Sequence, residues 1–99
     1  MKFRITSAAR HDLRAIAQYI ARDNPPRAVS YIKELNDKIR SVAAQPLIYP
    51  ERESWRKGLR SARHGRYHIV FRIEGEFVEF LRVLHGARDI PGLLGPDQS

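Results

Sequence analysis

Four side chains in the C-terminal half are of types that act on phosphates. Arg60, Arg66, Arg82 and His85 fall on successive predicted strands. Arginines there can neutralise a scissile phosphate, and His85 can move a proton during attack by a ribose 2′-hydroxyl, a metal-free ribonucleolytic step. A structural reading stands beside the chemical one: His85 closes the last strand, and Arg82 pairs with a nearby carboxylate such as Glu79 or Asp89. Glu51 and Glu53 are the nearest candidate bases in chain order, and both read as surface-loop residues.

Other chemistries lack their residues. The chain has no cysteine, and none of its serines stands in a Gly-x-Ser-x-Gly elbow, so a nucleophilic triad is not expected. His11, His64, His68 and His85 show no metal-ligand spacing, and the six glycines are too scattered to form a phosphate loop. No metal and no cofactor are expected.

Charge points to an anionic partner. Eighteen basic residues against eleven acidic ones give +7 over 99 residues, and only Lys2, Lys33, Lys38 and Lys57 are not arginine. The rigid guanidinium fork suits carboxylate or phosphate. Arg56, Lys57, Arg60, Arg63, Arg66 and Arg72 follow one another from Ser54 to Ile73 with no acid among them. A solvated basic edge and a binding surface both fit that run. A generic nucleic-acid-binding module is a third functional class, resting on charge alone. The lack of cysteine fits a reducing compartment, and no signal-peptide core or membrane-length apolar run occurs, so a cytoplasmic address is expected.

The elements that must position these groups follow from periodicity. Lys2 to Thr6 alternate as a short strand. Ser7 is the expected cap of a helix reaching about Arg22, with Ala9, Leu13, Ile16, Ala17 and Ile20 on its apolar stripe. Asp23-Asn24-Pro25-Pro26 ends it and starts a second helix, capped by Asn24 and running to about Ala44. A loop from Pro46 to Arg56 carries Tyr49 and Trp55, one of which is expected to cover the core. Strands then read as Leu59–Arg63, Arg66–Ile73 and Phe77–His85, an antiparallel meander to which the first strand can add as a fourth. In the middle strand Tyr67, Ile69, Phe71 and Ile73 share the buried face, while His68, Val70 and Arg72 share a mixed one. The expectation is an α+β domain over residues 1–94, β-α-α-β-β-β, with a helix hairpin on one face of a small antiparallel sheet and a frayed tail at 95–99.

Several segments carry a family resemblance: Ala9-Arg10-x-Asp12-Leu13, Tyr19-Ile20-Ala21-x-Asp23-Asn24-Pro25, Gly58-Leu59-Arg60-Ser61, Gly65-Arg66-Tyr67, and above all Arg82-Val83-Leu84-His85-Gly86-Ala87-Arg88-Asp89-Ile90. The chain resembles ParE-type toxins of the RelE/ParE superfamily. The resemblance implies the toxic half of a type II toxin–antitoxin pair, a non-enzymatic inhibitor that traps DNA gyrase on DNA. It also implies a ParD-like antitoxin whose acidic C-terminal segment folds across the toxin and whose N-terminal part binds operator DNA. The alternative is the RelE-type branch of ribosome-dependent mRNA endoribonucleases, which would use Arg66, Arg82 and His85. Against that branch, no tyrosine follows His85, and Lys57 is the one lysine in the loop before the meander. On this reading Arg60, Arg82, His85 and Arg88 are the target-binding candidates, with DNA met through gyrase and the antitoxin. Tyr19, Tyr31, Trp55, Arg56 and Arg63 are the antitoxin-binding candidates.

Overall fold

The structure, a computed structural model, describes residues 1–95. Its elements are β1 (Lys2–Ile5), α1 (Ser7–Ala21), α2 (Pro25–Ala44), a single 3-10 turn at Pro46–Ile48, β2 (Arg60–His64), β3 (Tyr67–Glu74), β4 (Phe77–His85) and α3 (Ile90–Leu93). The tail expected at 95–99 lies, apart from Gly95, outside the described residues.

Three element starts differ from the sequence reading for local reasons. The cap of α1 is Thr6, not Ser7: Thr6 is extended and its Oγ1 accepts the Ala9 N–H at 3.1 Å, so Ser7 is already helical. The same hydroxyl donates to the Leu81 carbonyl at 2.9 Å, fastening the start of α1 to β4. β2 and β3 each begin one residue late, because Leu59 closes a loop turn onto Arg56 and because Gly65 and Arg66 form the tight turn between them. Gly65 has φ +58°, a left-handed conformation that favours glycine. Asn24 caps α2 as expected, its side chain accepting the Arg27 N–H at 3.1 Å.

The sheet runs β1-β4-β3-β2, and β1 joins β4 in parallel, which corrects the wholly antiparallel sheet. The helix hairpin explains the direction. α1 continues the way β1 was going, and α2 returns until its Ala43 carbonyl accepts from the Met1 ammonium at 3.1 Å. The chain therefore re-enters the sheet at the end where it began, so β2 and β4 run with β1 and β3 against them.

A bulge redirects β4. Val70 pairs with Arg82 but Phe71 with Phe80, leaving Leu81 as an extra residue. Strict alternation would separate Val83 from Val78 and Phe80; the extra residue puts all three into the helix-side core with Ile16, Leu35, Ile39, Val42 and Phe71. Leu84 instead joins Leu59, Val70 and Ile90 in a second core on the opposite face. The mixed face of β3 is thus covered at Val70, contrary to the one-sided burial expected. Tyr49 and Trp55 each cover a core: Tyr49 stands edge-on to Phe71 at 6.0 Å, and Trp55 packs on the second core, roofed by the loop before β2 and by α3.

Candidate functional site

The longest elements converge at the end of the sheet away from β1. There Tyr19 near the end of α1, Tyr31 in the second turn of α2, Gly65 and Arg66 in the β2–β3 turn, Tyr67 at the start of β3 and His85 at the end of β4 line a cavity of about 500 Å³. Tyr67 is in register with both His64 and His85, because it opens the strand that lies between theirs. Its ring meets His85 nearly perpendicularly at 5.4 Å and Tyr31 at 6.1 Å. Tyr31 Oη donates to the His64 carbonyl at 3.4 Å, and the Gly86 N–H donates to the Arg66 carbonyl at 2.7 Å, so the cavity floor is cross-tied.

The protonation states favour donors. Burial pushes the Tyr31 phenol up, with the neighbouring Tyr67 adding to it, and burial likewise raises Tyr67, so both remain hydroxyls at neutral pH. His85 Nδ1 accepts the Ala87 N–H at 3.1 Å, which leaves Nε2 to carry the proton of the neutral ring. Arg66 is exposed, and its guanidinium has no hydrogen-bond or ion-pair partner among the described residues. A smaller cavity of about 190 Å³ adjoins through Tyr19, Tyr67 and His85 and is edged by Asp12 and Arg88.

Arg82 does not face this cavity as a free cation. Its Nε and Nη2 donate to the two Asp12 oxygens at 2.7 and 2.9 Å, and Nη1 donates to the Leu93 carbonyl at 3.2 Å. The structural reading of Arg82 anticipated a carboxylate partner but named Glu79 or Asp89; the partner is Asp12, from α1. The cause lies in β1, which stops at Ile5 and leaves the edge of β4 beyond Phe80 without a strand beside it. Asp12 fills that place, its Oδ2 also accepting the Val83 N–H at 2.9 Å. The ion pair raises the Arg82 pKa further.

The remaining candidates disperse. Arg60 donates to the Tyr49 carbonyl and lies 3.6 Å from Glu51. Arg56 donates to the Leu94 and Gly95 carbonyls at 2.8 and 2.7 Å, and Arg63 to the Gly65 carbonyl at 3.0 Å. Trp55 sits on the far face of the sheet, edge-on to His68 at 5.2 Å with Arg52 over its ring. The structure therefore joins Tyr19 and Tyr31 with Arg66 and His85, places Arg88 at the adjoining cavity, and separates Trp55 and Arg56 from them. Two residues were missed. Tyr67 does pack against the helix-side core, as its alternation implies, but as a strand's first residue at a sheet end it also lies where the core opens onto the cavity. Asp12 sits within the Ala9–Leu13–Ile16 stripe, and a carboxylate on an apolar stripe is a legible sign of a buried partner. Among the described residues no three His, Asp or Glu side chains gather as a metal site, and no helix is long and apolar enough to cross a membrane.

A helix hairpin on one face of a four-stranded sheet recurs in solved chains of toxin–antitoxin systems. The structure is similar to a chain of the chromosomal ParDE system from P. aeruginosa, with a TM-score of 0.76 and 20% identity over 86% of this chain and 95% of that one. It is also similar to a chain of the toxin–antitoxin complex RelBE2 from Mycobacterium tuberculosis, with a TM-score of 0.57 and 32% identity over 85% and 95% of the two chains. No curated protein sequence matches it. The family of ParE toxins of the type II toxin–antitoxin system matches residues 3–90, and the chain belongs to that family.

Proposed function

We propose that this toxin inhibits DNA gyrase by stoichiometric binding, without catalysis, and is held inactive by a ParD-like antitoxin. Membership of the ParE family supports the target. The observation that carries the non-enzymatic reading is the Asp12–Arg82 pair: of the set Arg66, Arg82 and His85, it takes away the one cation built into the sheet. Arg66 alone then stands beside His85, and among the described residues no carboxylate lines the main cavity to serve as a partner base. This reading places the toxin in the cytoplasm, meeting DNA through gyrase and through the antitoxin's operator-binding part.

The antitoxin reading has its own support. Between α1 and α2 lies a groove of about 300 Å³ walled by Ile5, Leu13 and Ile32 and rimmed by Arg10 and Arg14. Neither arginine has an ion-pair partner among the described residues. Apolar anchors beside unpaired cations suit an acidic segment that folds as it binds.

A supercoiling assay tests the target. Supercoiling is expected to fall, and cleavage complexes to accumulate, in proportion to toxin, with antitoxin reversing both; unchanged gyrase would end the reading. In a translation extract mRNA should stay intact, and cleavage within codons would make the toxin a ribonuclease instead. A short acidic product encoded beside this reading frame is the expected antitoxin.

A further inference from the structure

The cavity at the open end of the sheet has a chemistry that gyrase inhibition does not use. We propose that it binds a nucleoside monophosphate, its base against Tyr19 and its phosphate between Arg66 and His85. This goes beyond the gyrase reading and does not require it.

Size permits the ligand, since about 500 Å³ lies within the usual range for small-molecule sites. The rings select a flat one. Tyr67 is engaged edge-on by His85 and at a tilt by Tyr31, whereas Tyr19 is 65% exposed with no ring against it among the described residues. Tyr19 thus offers a free aromatic face of the kind on which bases stack.

The polar groups select a phosphate. Arg66 is a guanidinium without a partner among the described residues, His85 keeps Nε2 for its proton once Nδ1 is taken by the Ala87 N–H, and the half-buried Tyr67 keeps a phenol to donate, that of Tyr31 being spent on the His64 carbonyl. Arg88 adds charge at the adjoining cavity. Two acids beside the cavity are already engaged. Asp12 is held by Arg82 and the Val83 N–H, and Glu34, behind Tyr31, is held by Arg27 and by His64 at 3.0 Å. A site with donors, cations and aromatic faces but no free carboxylate repels cationic ligands and rewards an anion carried on an aromatic ring.

A free nucleotide and the phosphorylated end of a single strand share this chemistry, and titration separates them. The full-length chain, labelled with ¹⁵N, is titrated with AMP, adenosine, inorganic phosphate and a 5′-phosphorylated deoxyadenosine trinucleotide. AMP is expected to shift the Gly65 and Gly86 amides saturably and to bind more tightly than adenosine or inorganic phosphate. Arg66→Gln should weaken AMP about tenfold through the lost charged hydrogen bond. Tyr19→Ser should weaken it roughly tenfold through lost stacking. Both positions are exposed, so melting temperatures should match the parent, and Arg40→Gln at the far end of α2 should leave affinity unchanged. Tighter binding of the trinucleotide identifies a strand end as the occupant; equal binding identifies the free nucleotide. The proposal is overturned if millimolar AMP moves neither glycine, if inorganic phosphate binds as tightly as AMP, or if both variants bind like the parent. With no gyrase present, a failed titration leaves the gyrase reading standing, and a failed supercoiling assay leaves this one.

Discussion

Asp12 and Arg82, seventy residues apart in the chain, meet through two hydrogen bonds of 2.7 and 2.9 Å where the sheet edge has run out of strand. The pair joins α1 to β4, and through the Leu93 carbonyl it also holds α3. A residue whose type suggests phosphate binding is here a structural tie.

Asp12→Ala should therefore act on stability. It leaves a three-quarters-buried guanidinium and the Val83 N–H without their acceptor. A cost of about 2–3 kcal/mol is expected, between the limits for exposed and fully buried pairs. Thermal denaturation reads it directly, and an unchanged melting temperature would show that the tie carries no stability.

Arg88→Ala tests target binding away from that tie. Arg88 is exposed, so its loss should change stability by less than about 0.5 kcal/mol. If Arg88 meets gyrase, the toxin concentration for half-inhibition of supercoiling should rise roughly tenfold, as for a charged contact at an interface. Arg82→Ala should instead lose inhibition and melting temperature together.

Gly65→Ala probes the turn beneath the cavity. A Cβ at φ +58° would also stand 2.9 Å from Tyr31 Oη. Strain and displacement of Tyr31 should together cost more than about 1 kcal/mol. Loss of the Tyr31–His64 carbonyl bond would appear as faster exchange of amides in the turn.

His68 sets a pH dependence. Its Nδ1 lies 3.0 Å from Ser61 Oγ, and burial, reinforced by the charges of Arg52 and Arg63, holds its pKa below the ordinary value of about 6.5. Below that pH the unfolded chain binds protons that the folded one resists. This contribution is thus complete above about pH 6.5 and is lost as pH falls through the lower folded value. The melting temperature should drop as pH falls below about 6.5, and His68→Gln, though starting lower, should flatten the drop.

Much of the fold was legible because it rests on local rules. The stripes of α1 and α2, the Asn24 cap and the span of β4 follow from period and capping chemistry. The bulge at Leu81 was not legible: it follows from fitting β4 against β3 and α1 together, and no turn residue marks it. For the same reason the second core is not legible in the sequence, since Leu59, Val70, Leu84 and Ile90 share no period and meet only after the chain closes.

By itself the sequence determined the element order, the helix-side core, the excess of arginine and the motifs of a ParE toxin. Tertiary structure decided which arginines are available. A guanidinium is equally charged at every position, but its availability depends on the carboxylates and carbonyls that folding brings within reach. Asp12 took Arg82, the Leu94 and Gly95 carbonyls took Arg56, and Arg66 was left beside Tyr19 and His85.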